Sequence, residues 1–356
     1  MALTIKSIEG KPLNARLGQT FAISSASQDE VTSVLVVLKL SDGSVGYGEC
    51  APMRPFTDHT QADNLAAVAS LEGWLPGTTA TRPLHLSREI KERLPGNAPC
   101  RAAVEMALLD ALCRHWKLPM YHYFGGVSDR LKTDYTISVG TVAQARTDTK
   151  AILKRGINEI KVKIGKESGL DFERLLAIHK EAPTAGLILD ANQAYSAKQS
   201  LKLLKDLKAK DITPVLFEQP VPKEDWDGLA EITRGTDVPV CADESVQNPQ
   251  DAARMVKAGA VKAINVKLMK SGLFDAREIA VIAQAAGLQL MIGGMVETRL
   301  SMTVAAHLAA GLGGFRFVDL DTPYFFAKDP MKGPGLLPNG IYDLSTISAG
   351  TGVTPD

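Results

Sequence analysis

Residues Glu159 to Gly165 read EIKVKIG and set two lysines, Lys161 and Lys163, in an otherwise apolar stretch. Side chains two apart on a strand share a face, so both ammonium groups would project into one space, flanked by Ile160, Val162 and Ile164. Lysines are rarely buried unpaired, and adjacent like charges disfavour each other's protonation. An edge strand with a solvated basic face would account for the stretch without any chemistry. Three carboxylates argue for more. Asp190 in LDAN, Glu218 in FEQP and Asp243 in ADES each follow an apolar run, where an ionised carboxylate is costly unless it is paired or bound to a cation. Any one of them could be a strand-end cap or a salt bridge. Together they offer three hard oxygen donors from separate segments, which suits Mg²⁺ with water and substrate oxygens completing an octahedral shell; Mn²⁺ could substitute. Zinc-type ligation is not expected, because His59, His85, His115, His122, His179 and His307 all lie elsewhere. Further on, Lys267 stands in NVKLMKSG.

Lysines around a carboxylate-held cation could remove a proton next to a substrate carboxylate. Such a proton is weakly acidic, and the doubly negative enolate left behind needs a divalent cation and an adjacent ammonium in a water-poor site. A lysine acts as a base near neutral pH if neighbouring cations and desolvation lower its pKa, and Lys161 beside Lys163 would supply the neighbouring charge. One lysine on each face of a planar enolate lets one remove the proton and the other return it, which inverts the stereocentre.

That arrangement needs a scaffold that brings distant residues to one mouth. From residue 134 the chain alternates short apolar strands with polar or alanine-rich helical stretches: YTISVG, EIKVKI, GLILDAN, VLFEQP, VPVCADES, AINVKL, QLMIGGM and FRFVDLD. Successive markers near the strand ends, Lys163, Asp190, Glu218, Asp243, Lys267, Gly293 and Asp319, are separated by 24 to 28 residues. A regular βα period repeated eight times predicts a closed parallel barrel, whose catalytic groups gather at the carboxyl ends of the strands. An open doubly wound sheet would normally show a glycine-rich phosphate turn after its first strand, and YTISVGTVAQA has none. In a closed barrel the second and sixth strands are opposed, so Lys163 and Lys267 would face one another across the cation.

The first part of the chain differs. VTSVLVVLKL, a turn at Asp42 and Gly43, and SVGYGEC read as a hairpin, and TQADNLAAVASLEGWL and PCRAAVEMALLDALCRHW read as helices. Strands followed by helices without alternation predict an α+β unit of about 125 residues, ending near YFGGVSDRLKTD. Forty basic and forty acidic residues leave no net charge, so no electrostatic footprint for nucleic acid or an anionic membrane is expected. Cys50, Cys100, Cys113 and Cys241 lack metal-type spacing and read as buried thiols. MALTIKSIEG lacks the apolar block of a signal peptide and no run of 18 apolar residues occurs; a cytoplasmic location is expected.

At KVK (161–163), DAN (190–192), EQP (218–220), ADES (242–245) and KLMKSG (267–272) the sequence resembles the enolase superfamily, in particular its muconate-lactonizing subgroup with a two-lysine site. The resemblance spans essentially the whole chain and implies a (β/α)7β TIM-like barrel over residues 126–321, an α+β capping domain over 1–125, and a tail over 322–356 that returns to the cap. It implies Lys163 and Lys267 as the acid/base pair and Lys161 as an aid at the enolate oxygen. DLD at 319–321 looks like the mark of dipeptide epimerases, in which Asp319 and Asp321 would hold a substrate α-ammonium group while the metal holds the C-terminal carboxylate. Thr136 and Met295 match positions lining the dipeptide in those enzymes; either could equally be barrel packing. Relatives acting on alanyl-glutamate carry an arginine in the capping loop, whereas TFAISSASQ is uncharged and Ser24 stands at that place. A hydrophobic or small dipeptide is therefore expected, with Phe21, Ile23 and Phe56 near it, while Arg54 and Asp58 leave charged side chains open. The same site could instead serve N-succinylamino acid racemisation, o-succinylbenzoate synthesis or cycloisomerisation; DLD argues against these, since their substrates present no free ammonium there. A non-catalytic scaffold barrel is disfavoured by the full set of carboxylates and lysines. The sequence leaves homo-oligomer formation open.

Overall fold

The computed structural model describes residues 2–356 other than Ser25, Arg54, Pro55 and Lys166. The chain opens with an antiparallel sheet of β1 (Ile5–Ala22), β2 (Ser27–Leu40) and β3 (Val45–Cys50), followed by α1 (Gln61–Ser70), α2 (Pro83–Arg93) and α3 (Ala98–His115). The expected hairpin is β2–β3. The sequence pattern does not announce β1 or α2. Gly10, Pro12 and Gly18 interrupt β1, which survives as an edge strand because a proline there lacks an N–H that no second neighbour needs. In α2 the buried residues are only Leu86, Ser87 and Ile90, too narrow a stripe to mark a helix.

Glycines place α3 against this sheet. A Cβ at Gly46 would come within 2.0 Å of the Ala107 carbonyl oxygen, and one at Gly48 within 1.9 Å of that of Ala103. The alanine-rich helix thus lies with its backbone directly on β3, with Ala103, Ala107 and Ala111 fully buried. Gly48→Ala has to push the helix off the sheet. We expect it to cost about 3 kcal/mol or more, read as a lower thermal midpoint than Gly73→Ala, where a Cβ meets nothing within 4 Å.

A short helix α4 (Met120–Tyr123) and β4 (Arg130–Lys132) lead into the alternating part. It runs β5 (Tyr135–Ile137), α5 (Val142–Lys154), β6 (Glu159–Lys163), α6 (Ser168–Glu181), β7 (Gly186–Asp190), α7 (Ala197–Lys208), β8 (Leu216–Glu218) and α8 (Trp226–Gly235). It continues through β9 (Val240–Ala242), α9 (Pro249–Ala258), β10 (Ala263–Lys267), α10 (Leu268–Ser271), α11 (Leu273–Ala285), β11 (Gln289–Gly293), α12 (Arg299–Leu312) and β12 (Phe315–Val318). Every expected strand is present, and they form one eight-stranded parallel sheet in chain order. The Asp134 amide donates to the Val318 carbonyl (2.8 Å) and Thr133 Oγ1 to the same oxygen (3.2 Å), joining the first strand to the last. Because β6 is hydrogen-bonded to both β5 and β7, it is no edge strand and its lysines do not lie on a solvated face.

After β12 come a 3-10 turn (Thr322–Tyr324), β13 (Met331–Lys332), β14 (Gly335–Leu336), β15 (Ile341–Asp343) and β16 (Thr354–Pro355). Met331 and Val353 pack with Leu13 and Leu35 of the first sheet, and the Thr351 amide donates to buried Asp110 on α3 (2.7 Å). Among the described residues no helix is long and apolar enough to cross a membrane.

Candidate active site

The barrel interior is layered by the two-residue period of its strands. Ile188, Leu216, Cys241, Ala263, Met291 and Phe317 form a closed apolar plug. Two residues further along the same strands stand Asp190, Glu218, Asp243, Asn265, Gly293 and Asp319. The apolar floor therefore turns into a charged layer within one step of the pleat. Register aligns that layer: Lys163 stands opposite Asp190, and Asp190 opposite Glu218.

Lys161, with no exposed surface, places Nζ 2.6 Å from Asp319 Oδ2, 2.7 Å from Glu218 Oε2 and 3.0 Å from Asp190 Oδ2. Lys163 Nζ lies 2.5 Å from Asp190 Oδ2, and Lys267 Nζ 2.7 Å from Asp243 Oδ2. Burial opposes the charge on Lys161, but Asp319, Glu218, Asp190 and Asp134 outweigh it and hold its proton well above the usual lysine range. Lys267 behaves alike: burial lowers its pKa, Asp243 and Glu218 raise it further, and the net shift is upward. For both, contact with a carboxylate exceeds repulsion from a more distant ammonium. Asp190 and Asp243 are held below the carboxylate range against the cost of burial, the first chiefly by Lys163 and Lys161, the second by Lys267 and Lys270.

Beside Lys161 lies a second acidic group. Oxygens of Asp134, Asp319 and Asp321 come within 4.8 Å of one another. Asp321 Oδ2 accepts from the Thr136 amide (2.6 Å), while Asp321 Oδ1 and both oxygens of Asp134 have no hydrogen-bond partner among the described residues. Burial and then Asp319 push Asp321 up to about 7, and the same causes hold Asp134 well above the usual carboxylate range. The cluster is short of a cation. Thr136 Oγ1 sits 3.5 Å from Asp319 Oδ1, at the limit of a hydrogen bond.

Lys163, Lys267, Asn192, Thr136, Asp319 and Asp321 line one cleft, together with Phe21, Ile23, Met53, Phe56 and Met295. The apolar side comes largely from the N-terminal part: Phe21 lies near the end of β1 and stacks on Phe325 (5.6 Å between centroids). Ser24 is not among the lining residues. It sits over the end of β6, where a Cβ added at Gly165 would stand 3.3 Å from the Ser24 Cβ. Asp58 lines an adjoining cavity with His59 and Lys223, and Arg54 lies outside the described residues.

Several further residues inside the motifs shape the site. Asn265, two before Lys267 and hence on the same strand face, donates from Nδ2 to Glu218 Oε1 (2.6 Å). Lys270 donates to Asp243 Oδ1 (2.6 Å) and to the Asn265 carbonyl (2.9 Å). Gln219 is fully buried; its Oε1 accepts from the Asp243 amide (2.9 Å), tying the end of β8 to that of β9. Asn192 and Gln219 hold φ of 42° and 33°, left-handed backbone that costs roughly 1–3 kcal/mol per residue and collects at functional sites. Strand alternation could have found Asn265. The long reach of Lys270 and Gln219 has no local signal.

The donor set fits a hard divalent cation. Asp190, Glu218 and Asp243 are buried carboxylates at the ends of successive strands, although among the described residues only Asp134, Asp319 and Asp321 bring their oxygens within 4.8 Å of one another; burial followed by Asp190 and Asp243 drives Glu218 up to about 7 even with Lys161 in contact. Neighbouring Glu244 is likewise pushed up to about 8 by burial and Asp243, and its Oε2 has no hydrogen-bond partner among the described residues. The ammonium groups present leave negative charge uncompensated.

A parallel barrel with this carboxylate and lysine set defines a class built for proton transfer next to a carboxylate. Residues 12–125 match the family described as mandelate racemase/muconate lactonizing enzyme, N-terminal domain, and residues 141–356 match enolase C-terminal domain-like. The chain is 44% identical over 354 residues to an aromatic dipeptide epimerase of Herpetosiphon aurantiacus, covering 99% of each. It is 41% identical to a hydrophobic dipeptide epimerase of Citrifermentans bemidjiense, covering 96% of this chain and 95% of the relative. A dipeptide epimerase of Enterococcus faecalis, solved with Mg and the dipeptide L-Leu-L-Tyr, superposes with a TM-score of 0.94 at 30% identity, covering 99% of both chains. The protein belongs to the mandelate racemase/muconate lactonizing enzyme family of the enolase superfamily.

Proposed function

We propose that the protein is a dipeptide epimerase that inverts the α-carbon of the C-terminal residue by two-base 1,1-proton transfer, and that it prefers hydrophobic dipeptides. The observation that carries this is a single cleft holding Lys163 from β6, Lys267 from β10 and the Asp319–Asp321 pair beneath an apolar roof. One lysine, as the free amine, takes the α-proton and becomes an ammonium. The other, as an ammonium, delivers its own proton to the opposite face, so each turnover exchanges their protonation states. Lys161, its charge secured by three carboxylates, stays an ammonium and supplies positive charge beside the developing enolate. Asp319 and Asp321 receive the substrate α-ammonium, which provides the charge their cluster lacks. Asp190, Glu218 and Asp243 would hold Mg²⁺, which when bound acts as a Lewis acid toward the substrate carboxylate and takes over as counter-charge to these side chains.

Among the described lining residues the only cations are Lys163 and Lys267, both engaged in this chemistry, so an acidic C-terminal side chain finds no partner. The relatives named for aromatic and hydrophobic dipeptides support that preference. Four free, buried cysteines fit the cytoplasmic location read from the sequence, and Mn²⁺ in place of Mg²⁺ belongs to the same reading. So does the division at residues 125/126 and 321/322.

The test is a dipeptide panel incubated in D₂O with Mg²⁺. Dipeptides ending in Tyr, Phe or Leu should gain one deuterium at the C-terminal α-carbon, about 10²-fold faster than alanyl-glutamate, and a chelator should stop the exchange until Mg²⁺ is restored. Turnover of an N-succinyl substrate with no deuterium in any dipeptide would refute the assignment.

A further inference from the structure

The two assigned bases are anchored from behind in different ways. On β6 the Lys163 carbonyl accepts from Arg174 Nη1 (2.8 Å), whose Nη2 reaches the Ser138 carbonyl (2.7 Å). Arg174 is fully buried on α6, within the barrel itself. Lys267 ends β10, and the chain turns at once through α10 and Gly272 into α11. There the anchor comes from the N-terminal part. Arg101 on α3 donates from Nη2 to the Ser271 carbonyl and from Nη1 to Asp275 Oδ2 (3.0 Å). One helical turn on, Glu105 accepts from the Leu273 amide (2.6 Å), the Phe274 amide (3.3 Å) and Ser87 Oγ (2.6 Å), capping the first turn of α11. The turn is moulded against this pair: Gly272 has φ of 83°, and a Cβ there would stand 2.9 Å from Glu105 Oε2 and 3.0 Å from Arg101 Cζ.

Arg101 is 5% exposed and Glu105 not at all, yet neither lines the cleft. A buried ion pair is a poor source of stability compared with apolar residues of the same volume. What this pair does supply is a directional hold on the turn that follows Lys267.

We propose that Arg101 and Glu105 are positioning residues for Lys267, as Arg174 is for Lys163, so that each proton transfer has its own anchor and the N-terminal capping unit sets one of the two. The inference rests on the two-base reading above. Misplacing a base by about 1 Å can cost on the order of 10²-fold. Removing one anchor therefore slows the lysine it holds and spares the other.

The experiment measures α-proton exchange in D₂O by NMR at saturating Mg²⁺, in two backgrounds that each leave a single base. In Lys163→Ala, where Lys267 acts alone, adding Arg101→Met should slow exchange by about 10- to 100-fold, and Arg101→Lys should restore part of it. In Lys267→Ala, where Lys163 acts alone, Arg101→Met should change exchange by less than about threefold, while Arg174→Met gives the reverse pattern. Glu105→Gln keeps the side-chain volume and should show the same selectivity in weaker form if Arg101→Met does not fold. Equal slowing in both backgrounds, or none in either, would overturn the inference while leaving the two-base reading standing. Exchange absent from both parents would overturn that reading and the inference with it.

Discussion

Lys267→Ala is expected to abolish epimerisation, with kcat reduced by at least about 10³-fold, while the α-proton of one dipeptide epimer still exchanges with solvent. Lys163→Ala should behave as its mirror image, retaining exchange of the other epimer. The reason is geometric. The two side chains end strands two and six of an eight-stranded parallel sheet whose ends are joined, and both line one cleft. Each variant keeps a base on one face of the α-carbon and has no proton donor on the other. Following the α-proton signal and the optical rotation together separates loss of inversion from loss of deprotonation. Normal epimerisation by both variants would mean that the bases have been misassigned.

Asp321→Asn should lower kcat/KM for free dipeptides by about 10²-fold or more, in the range found when one member of a buried charge pair is removed. Asn retains an oxygen for the Thr136 amide, so the local fold is kept while the charge is lost. The discriminating readout is an N-acetylated dipeptide. It lacks the ammonium, so wild-type protein should reject it strongly, and Asp321→Asn should narrow that gap because only the free dipeptide loses its partner. An unchanged ratio between the two substrates would show that Asp321 serves the fold rather than the amine.

The barrel was legible because its signal is periodic. Apolar strands about 26 residues apart, most of them ending in a polar residue of the same phase, arise in few folds besides a closed parallel barrel, and the phase itself puts Asp190, Glu218 and Asp243 in one layer. β1 was not legible because a strand at a sheet edge tolerates Gly10, Pro12 and Gly18, which erase the alternation that marks a strand. At the site, residue types and order could be read, but contacts could not. Nothing local indicates that Lys270 holds Asp243, or that Arg101 reaches Ser271 across 170 positions of sequence. Nor does the sequence show that Asp243 lies 2.7 Å from Lys267, the contact that raises the lysine's pKa. Ser24 was located through resemblance alone, because an irregular loop has no periodicity from which the direction of its side chain could be read.

The most direct test of the central claim is a crystal structure with Mg²⁺ and a hydrophobic dipeptide. The account predicts the ion on Asp190, Glu218 and Asp243, with the Nζ atoms of Lys163 and Lys267 on opposite faces of the C-terminal α-carbon, each within about 3.5 Å of it. Both nitrogens on one face, or the ion bound instead by Asp134, Asp319 and Asp321, would contradict it.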